Sequence, residues 1–234
     1  MTTETMNVHK AMVELKTLNS RIENGVMFNT VVTSTLGDRI AESFGLTVEK
    51  TLTGFKFIGD KIKTHEALGD KTFVFGYEES YGCLVSDFVR DKDAVQASLM
   101  FCEAAHYYKK QGKTLVDVLN EIFAKYGYFA DSLVSLTRTG EEGAKEIAAI
   151  LEKLRAAPAA DIGDMRLEER VDFLTPPEGF IPSNVLLYRF DCGSFAAVRP
   201  SGTEPKCKFY FSVRGATPAE AQKKTDQLKA YFEV

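Results

Sequence analysis

The stretch Ala197–Val213, AVRPSGTEPKCKFYFSV, holds two strand-like runs around a turn, and its second run shows how the C-terminal half folds. There Cys207, Phe209, Phe211 and Val213 alternate with Lys206, Lys208, Tyr210, Ser212 and Arg214. A period of two sends the first set to the core face of a strand and the second to an outward face, which is cationic beside the turn. The turn gathers the hydroxyls of Ser201 and Thr203, Gly202 between them, two prolines, Arg199 before and Lys206 after. Two readings fit. Pro-Ser-Gly is ordinary turn chemistry, and lysines blunt exposed strands. Alternatively, successive backbone N–H groups form an anion nest that Gly202 lets an oxygen approach, with Arg199 gripping two oxygens at once.

Closely spaced strands surround this stretch: about Met165–Leu174, Asn184–Phe190, Ser194–Arg199 and Lys206–Arg214. Gly193 can supply the positive φ of a hairpin turn at Asp191–Ser194. In DIGDMRLEER (residues 161–170) charges alternate with Met165 and Leu167, as on an exposed sheet face. Tyr128–Thr137 reads as an earlier strand. A helix follows with Ile147, Ile150, Leu151 and Leu154 inward. Thr217-Pro218-Ala219-Glu220 opens a last helix, with Thr217 as N-cap, Pro218 at N1 and Glu220 completing a capping box. The expectation is an antiparallel sheet with helices on one face.

The N-terminal half alternates differently. After a helical opening (about Met6–Asn24), VMFNTVVTS reads as a strand, TLGDRIAESFG as a short helix ending at Gly45, LTVEKTLTG as extended, and KTFVFGYEES as a buried strand. Two helices close the half. Val95, Leu99, Cys102 and His106 share a face of the first; Leu115, Val118, Leu119, Ile122, Phe123 and Tyr126 repeat along the second, up to Gly127. Strand–helix alternation predicts an α/β domain with a mixed sheet over residues 1–127, and the α+β unit fills 128–234.

At 234 residues the chain is long enough for two modest cores. A net charge of −4 argues against a nucleic-acid partner. No apolar run approaches a membrane span, and MTTETMNVHK lacks a signal-peptide core, so no membrane partner and a cytoplasmic location are expected. Cys83, Cys102, Cys192 and Cys207 form no C-x-x-C pair and read as reduced, buried thiols. Three dispersed histidines give zinc few ligands.

Four short segments carry chemistry. In FGYEESYG a buried strand ends at Glu78, Glu79 and Ser80, placing carboxylates and a hydroxyl at the sheet edge where α/β proteins bind ligands. Such groups suit sugar hydroxyls, although a solvated strand exit explains them equally well. In TLTGFKFIGDK, Gly54 and Gly59 have P-loop spacing, but Asp60 stands where a lysine must, so a Walker site is rejected. A glycine-flanked turn presenting Lys56 remains. Asp91 and Asp93 of VRDKDAV complement a helix start better than they hold a metal. The loop at Arg199–Thr203 is the fourth. No Ser/His/Asp or Cys/His nucleophile arrangement is found.

Taken in order, TLTGFKFIG, GYEESYG, FVRDKDAV and RPSGTEPKCKFYF resemble the alpha-D-phosphohexomutase superfamily, the phosphoglucomutases and phosphomannomutases. The resemblance runs from about Gly25 onward and covers only the last two of that family's four domains. It implies domain three over 1–127 and a small, TBP-like sheet-and-two-helix domain four over 128–234. It implies that Glu78 and Ser80, with Thr53, Gly54 and Lys56 from a second loop, face the sugar. It also implies that Arg199, Ser201, Gly202 and Thr203 hold the phosphate that is not transferred. Tyr77 stands where the family often has glycine.

The family's phosphoserine loop and its Asp-x-Asp-x-Asp-Arg magnesium loop do not occur in this sequence. The resemblance therefore implies a C-terminal fragment of an intramolecular phosphotransferase, an isomerase that interconverts hexose 1- and 6-phosphates through a bisphosphorylated intermediate. No catalytic residue and no metal site is expected in this chain. Mg2+ and the phosphoserine would belong to missing N-terminal domains, and the isolated chain would be inactive. The alternatives are a free-standing phosphosugar-binding or regulatory module and a phosphopentomutase-type relative.

Overall fold

The computed structural model describes residues 24–201 and 204–234. The expected opening helix at Met6–Asn24 lies outside them, apart from Asn24. The described residues divide into two compact units, one within Met1–Thr30 and Gly37–Gly112, the other within Val31–Leu36 and Lys113–Val234.

In the first unit, β1 (Gly25–Thr30), β2 (Thr47–Thr51), β3 (Thr72–Tyr77) and the short β4 (Cys83–Leu84) form a sheet in the order β2-β1-β3-β4. The first three strands are parallel and β4 is antiparallel to β3. The mixed sheet matches the expectation. Helix α1 (Leu36–Ser43) follows β1, and α2 (Phe55–Leu68) follows β2. The core joins Val26, Phe28 and Phe73 of the sheet to Phe55, Ile58 and Ile62 of α2. Full burial of each such side chain contributes about 1.5–3 kcal/mol.

Helix α2 was not expected. Phe55, Ile58, Ile62 and His65 fall on one helical face and are buried, so the supposed glycine-flanked turn is the first turn of a 14-residue helix. Its two glycines have separate causes. Gly54 is the N-cap at φ 120, a conformation that a β-carbon disfavours. Gly59 lies inside the helix, where an added Cβ would stand 2.8 Å from the Arg90 carbonyl oxygen. Helix α3 (Ala94–Lys110) forms as expected, with Asp93 as its N-cap. Its expected apolar face is not packed: Val95 is 79% and Leu99 63% exposed.

In the second unit, β5 (Tyr128–Thr137), β6 (Leu167–Asp172), β7 (Leu186–Phe190), β8 (Phe195–Pro200) and β9 (Lys206–Gly215) form an antiparallel sheet in the order β5-β9-β8-β7-β6. Helix α4 (Leu115–Tyr126) precedes it, α5 (Gly140–Ala156) follows β5 and α6 (Pro218–Tyr231) ends the chain. Ile147, Leu151 and Leu154 of α5 join Leu228 of α6 and Phe232 just beyond it, against Val198, Cys207, Phe209, Phe211 and Val213 of the sheet. The hairpin turn uses Gly193 at φ 83.

Three expectations change here. Tyr210 and Ser212 are buried rather than outward, and the Ser212 hydroxyl donates to Ser34 Oγ at 3.0 Å, so Val31–Leu36 covers part of that face. The capping box is half-formed: Thr217 Oγ1 accepts from Glu220 N–H, but the Glu220 carboxylate accepts from Ala216 N–H. Only Cys207 is buried; Cys83 and Cys192 are half-buried and Cys102 is exposed, all four as free thiols.

Gly59→Ala raises helix propensity by about 1 kcal/mol. We expect it nevertheless to lower stability by about 1–3 kcal/mol, because backbone rather than a side-chain tip blocks the new methyl group. Urea unfolding checks this, and a stabilised variant contradicts it.

Candidate functional site

Parallel strands β1, β2 and β3 end together at Thr30, Thr51 and Tyr77, so the residues just beyond them share one edge. Two of the segments singled out in the sequence meet there. Glu78 is only 8% exposed, and its Oε1 accepts the backbone N–H of Gly54 at 2.9 Å. The N-terminus of α2 has no side-chain cap and no acid in its first turn. The Glu78 carboxylate thus faces the positive end of the helix dipole, which favours negative charge there by about 0.3–1 kcal/mol. Its second oxygen, Oε2, takes no hydrogen bond from the described residues.

Around this link, Ser80 and Lys56 are exposed and Thr53 is half-buried. Lys56 Nζ lies 4.8 Å from the centroid of the Phe57 ring. Glu79, which the resemblance does not assign to the sugar, accepts from Thr30 Oγ1 at 3.0 Å. The two adjacent carboxylates are thereby tied to different elements, and the loop between them and β4 is fixed at both ends. Tyr77 is held as well. Its hydroxyl accepts from Asn29 Nδ2 at 3.3 Å, and it occupies a notch where a Cβ on Gly37 would stand 1.9 Å away. Asn29 also donates to Asp38 at 2.7 Å, and Lys50 closes the row at 2.6 Å from Asp38.

The far end of α2 is anchored by charge. His65 lies between Glu49 (3.1 Å) and Asp70 (2.8 Å), and its ring stacks on Phe28 at 5.8 Å. Lys71 and Lys61 also reach Glu49, at 2.8 and 3.2 Å. Burial works to raise the Glu49 carboxyl, but hydrogen bonds from Lys71, Lys61 and His65 outweigh it and hold the group down at about 2.

In the second unit Arg199 on β8 stands directly opposite Lys208 on β9. Among the described residues, neither side chain makes an ion pair or hydrogen bond. Like charges directly opposite in a sheet repel, a cost an anion would remove. The connecting loop is closed by Ser201 N–H to Lys206 O at 2.8 Å and Glu204 N–H to Ser201 Oγ at 3.3 Å. Lys206 is neutralised by Glu204 at 2.7 Å, which leaves Arg199 and Lys208 as the cations beside the turn. Gly202 and Thr203 lie outside the described residues. A cleft of about 420 Å³ touches Ser201 from the core side, lined also by Arg155, Glu152 and Glu204. Arg155 is committed to Asp172 at 2.8 Å and to Asn184, so that cleft offers no free cation to an anion.

A family model described as phosphoglucomutase/phosphomannomutase, alpha/beta/alpha domain III, matches residues 9–126. The chain belongs to the phosphoglucomutase/phosphomannomutase family. Phosphoglucomutase of Staphylococcus aureus (strain USA300) is 37% identical over 206 residues, covering 83% of this chain and 37% of the relative. That of Staphylococcus haemolyticus (strain JCSC1435) is 37% identical over 201 residues, covering 81% and 36%. The chain thus spans little more than a third of the curated relatives it matches. Among solved structures, the open form of pp63/parafusin, a phosphoglucomutase from Paramecium, aligns with a TM-score of 0.65 at 18% identity over 89% of this chain and 37% of its own. A phosphoglucomutase/phosphomannomutase family protein from Burkholderia thailandensis aligns at 0.56 and 16% identity, over 88% and 37%. These likenesses show the shared fold.

The described residues do not fit the Mg2+ associated with this resemblance. Asp91 takes the backbone N–H and ammonium of Lys92, Asp93 caps α3, and no group of three His, Cys, Asp or Glu residues converges among the described residues. Among the described residues, no helix is long and apolar enough to cross a membrane.

The Glu49 carboxyl titrates near 4.5 when unperturbed and near 2 in the fold. Its contribution to stability is therefore complete above about pH 4.5 and lost as pH falls toward 2. Glu49→Gln should flatten that part of the acid limb of the melting temperature, and an unchanged limb contradicts the assignment.

Proposed function

We propose that this chain is the sugar- and phosphate-holding portion of a phosphoglucomutase-type enzyme that interconverts hexose 1- and 6-phosphates. The observation that carries the reading is the Glu78–Gly54 hydrogen bond. It fixes one carboxylate oxygen and leaves the other free, two residues before Ser80, in a member of this family. A hexose presents vicinal hydroxyls that both donate and accept, and a carboxylate with a neighbouring hydroxyl answers both roles.

In the second unit, Arg199 and Lys208 hold a dianionic phosphate, with Ser201, Gly202 and Thr203 as further donors. A guanidinium grips two phosphate oxygens, and Lys208 adds a point charge. These groups position a phosphate; none is a phosphoryl donor. The donor serine and the Mg2+ that would neutralise the transferring group belong, in this proposal, to polypeptide outside this sequence. The chain alone is then a binder without mutase turnover. A cytoplasmic setting is part of the same proposal, and the four free cysteines support it.

Titration of glucose 6-phosphate by calorimetry tests this. Arg199→Ala should weaken binding roughly tenfold or more, the usual size for a lost charged hydrogen bond. Arg189→Ala, whose side chain is already paired with Glu169 at 2.6 Å, should leave affinity unchanged. Equal affinities for wild type and Arg199→Ala contradict the phosphate assignment. Conversion of glucose 1-phosphate by the chain free of any full-length enzyme contradicts the division of labour.

A further inference from the structure

Immediately after Ser80 the chain does something costly. Tyr81 is 98% exposed and adopts φ 71. Among the described residues, Glu233 is the other non-glycine residue with a positive φ, and it lies next to the last residue of the chain. A left-handed backbone crowds a β-carbon against the carbonyl, and for a bulky side chain it is rare. Residues kept in such a conformation cluster at ligand sites, where the surrounding structure enforces the strain.

Here the enforcement is visible. Glu78 N–H donates to Gly82 O at 2.9 Å and Tyr81 N–H donates to Glu78 O at 3.2 Å, so a tight loop fixes the tyrosine backbone. A glycine stands one residue on, but Gly82 meets a different need: a Cβ there would stand 2.4 Å from Lys92 Cδ. Tyrosine therefore takes the position that glycine would occupy without strain. In return its ring gains no packing, since it makes no ring contact among the described residues and lies almost wholly in water. Both the backbone and the solvation of Tyr81 work against stability.

We propose that Tyr81 is a stacking residue for the pyranose ring, receiving the C–H face of the hexose whose hydroxyls go to Glu78 and Ser80. A pyranose has hydroxyls around its rim and a patch of C–H groups on its face, and an aromatic face is electron-rich and apolar. A carboxylate, a hydroxyl and a ring within four consecutive residues match those two surfaces. The ligand class is thereby narrowed to a cyclic sugar phosphate. This inference rests on the sugar-binding reading of the same loop.

The test is titration of glucose 6-phosphate into wild type, Tyr81→Phe, Tyr81→Gly and Glu78→Gln, with a thermal melt of each. Tyr81→Gly should melt no lower than wild type, since glycine relieves the strain, yet bind roughly three- to tenfold more weakly. Tyr81→Phe should keep its affinity within about twofold, because the face and not the hydroxyl stacks. If Glu78→Gln weakens binding while Tyr81→Gly does not, the stacking role is overturned and the sugar site stands. If Tyr81→Phe loses as much as Tyr81→Gly, stacking is likewise overturned. If wild type does not bind glucose 6-phosphate, the sugar-site reading falls and the stacking role with it.

Discussion

One hydrogen bond organises the first unit: the Glu78 carboxylate on the Gly54 amide at 2.9 Å. It joins the loop after β3 to the N-terminus of α2, two points 24 residues apart in the chain. A carboxylate this buried needs compensation, and a helix N-terminus without a side-chain cap supplies it. The same bond fixes Oε1 and leaves Oε2 without a hydrogen bond from the described residues.

The rest of the unit keeps that bond in register. Tyr77 is locked into the Gly37 notch and bonded to Asn29, which sets the residue before Glu78. Glu79 is tied back to Thr30, which sets the residue after it. Helix α2 cannot slide, since Gly59 lies against the Arg90 carbonyl and His65 is clasped by Glu49 and Asp70. The second unit is built on a different principle. There the core under α5 and α6 leaves Arg199 and Lys208 opposite one another on the other face of the sheet, where like charges repel.

The sequence revealed most where one period dominated. The alternation from Cys207 to Val213 identified the inward face of β9, and the hairpin at Gly193 followed from turn chemistry. The error at Tyr210 and Ser212 has a tertiary cause: Val31–Leu36, far earlier in the chain, covers that face, and no local pattern announces it. Helix α2 was legible in Phe55, Ile58, Ile62 and His65, but glycine spacing suggestive of a phosphate loop obscured it. Gly59 answers to Arg90, a neighbour that the sequence alone does not reveal. In α3 the periodicity was real but did not mean burial, as exposed Val95 and Leu99 show. At the candidate site the residue types suggested sugar and phosphate chemistry. Their pairing was not legible, because Glu78–Gly54 and Arg199–Lys208 are contacts between separate segments.

Amide NMR of the isotope-labelled chain, with glucose 6-phosphate added stepwise, tests the central claim most directly. The account predicts that the Gly54 and Ser80 amides shift together along one binding curve, because the carboxylate between them accepts the sugar hydroxyl. Saturating sugar phosphate that leaves the Gly54 amide unmoved while other amides respond would contradict it.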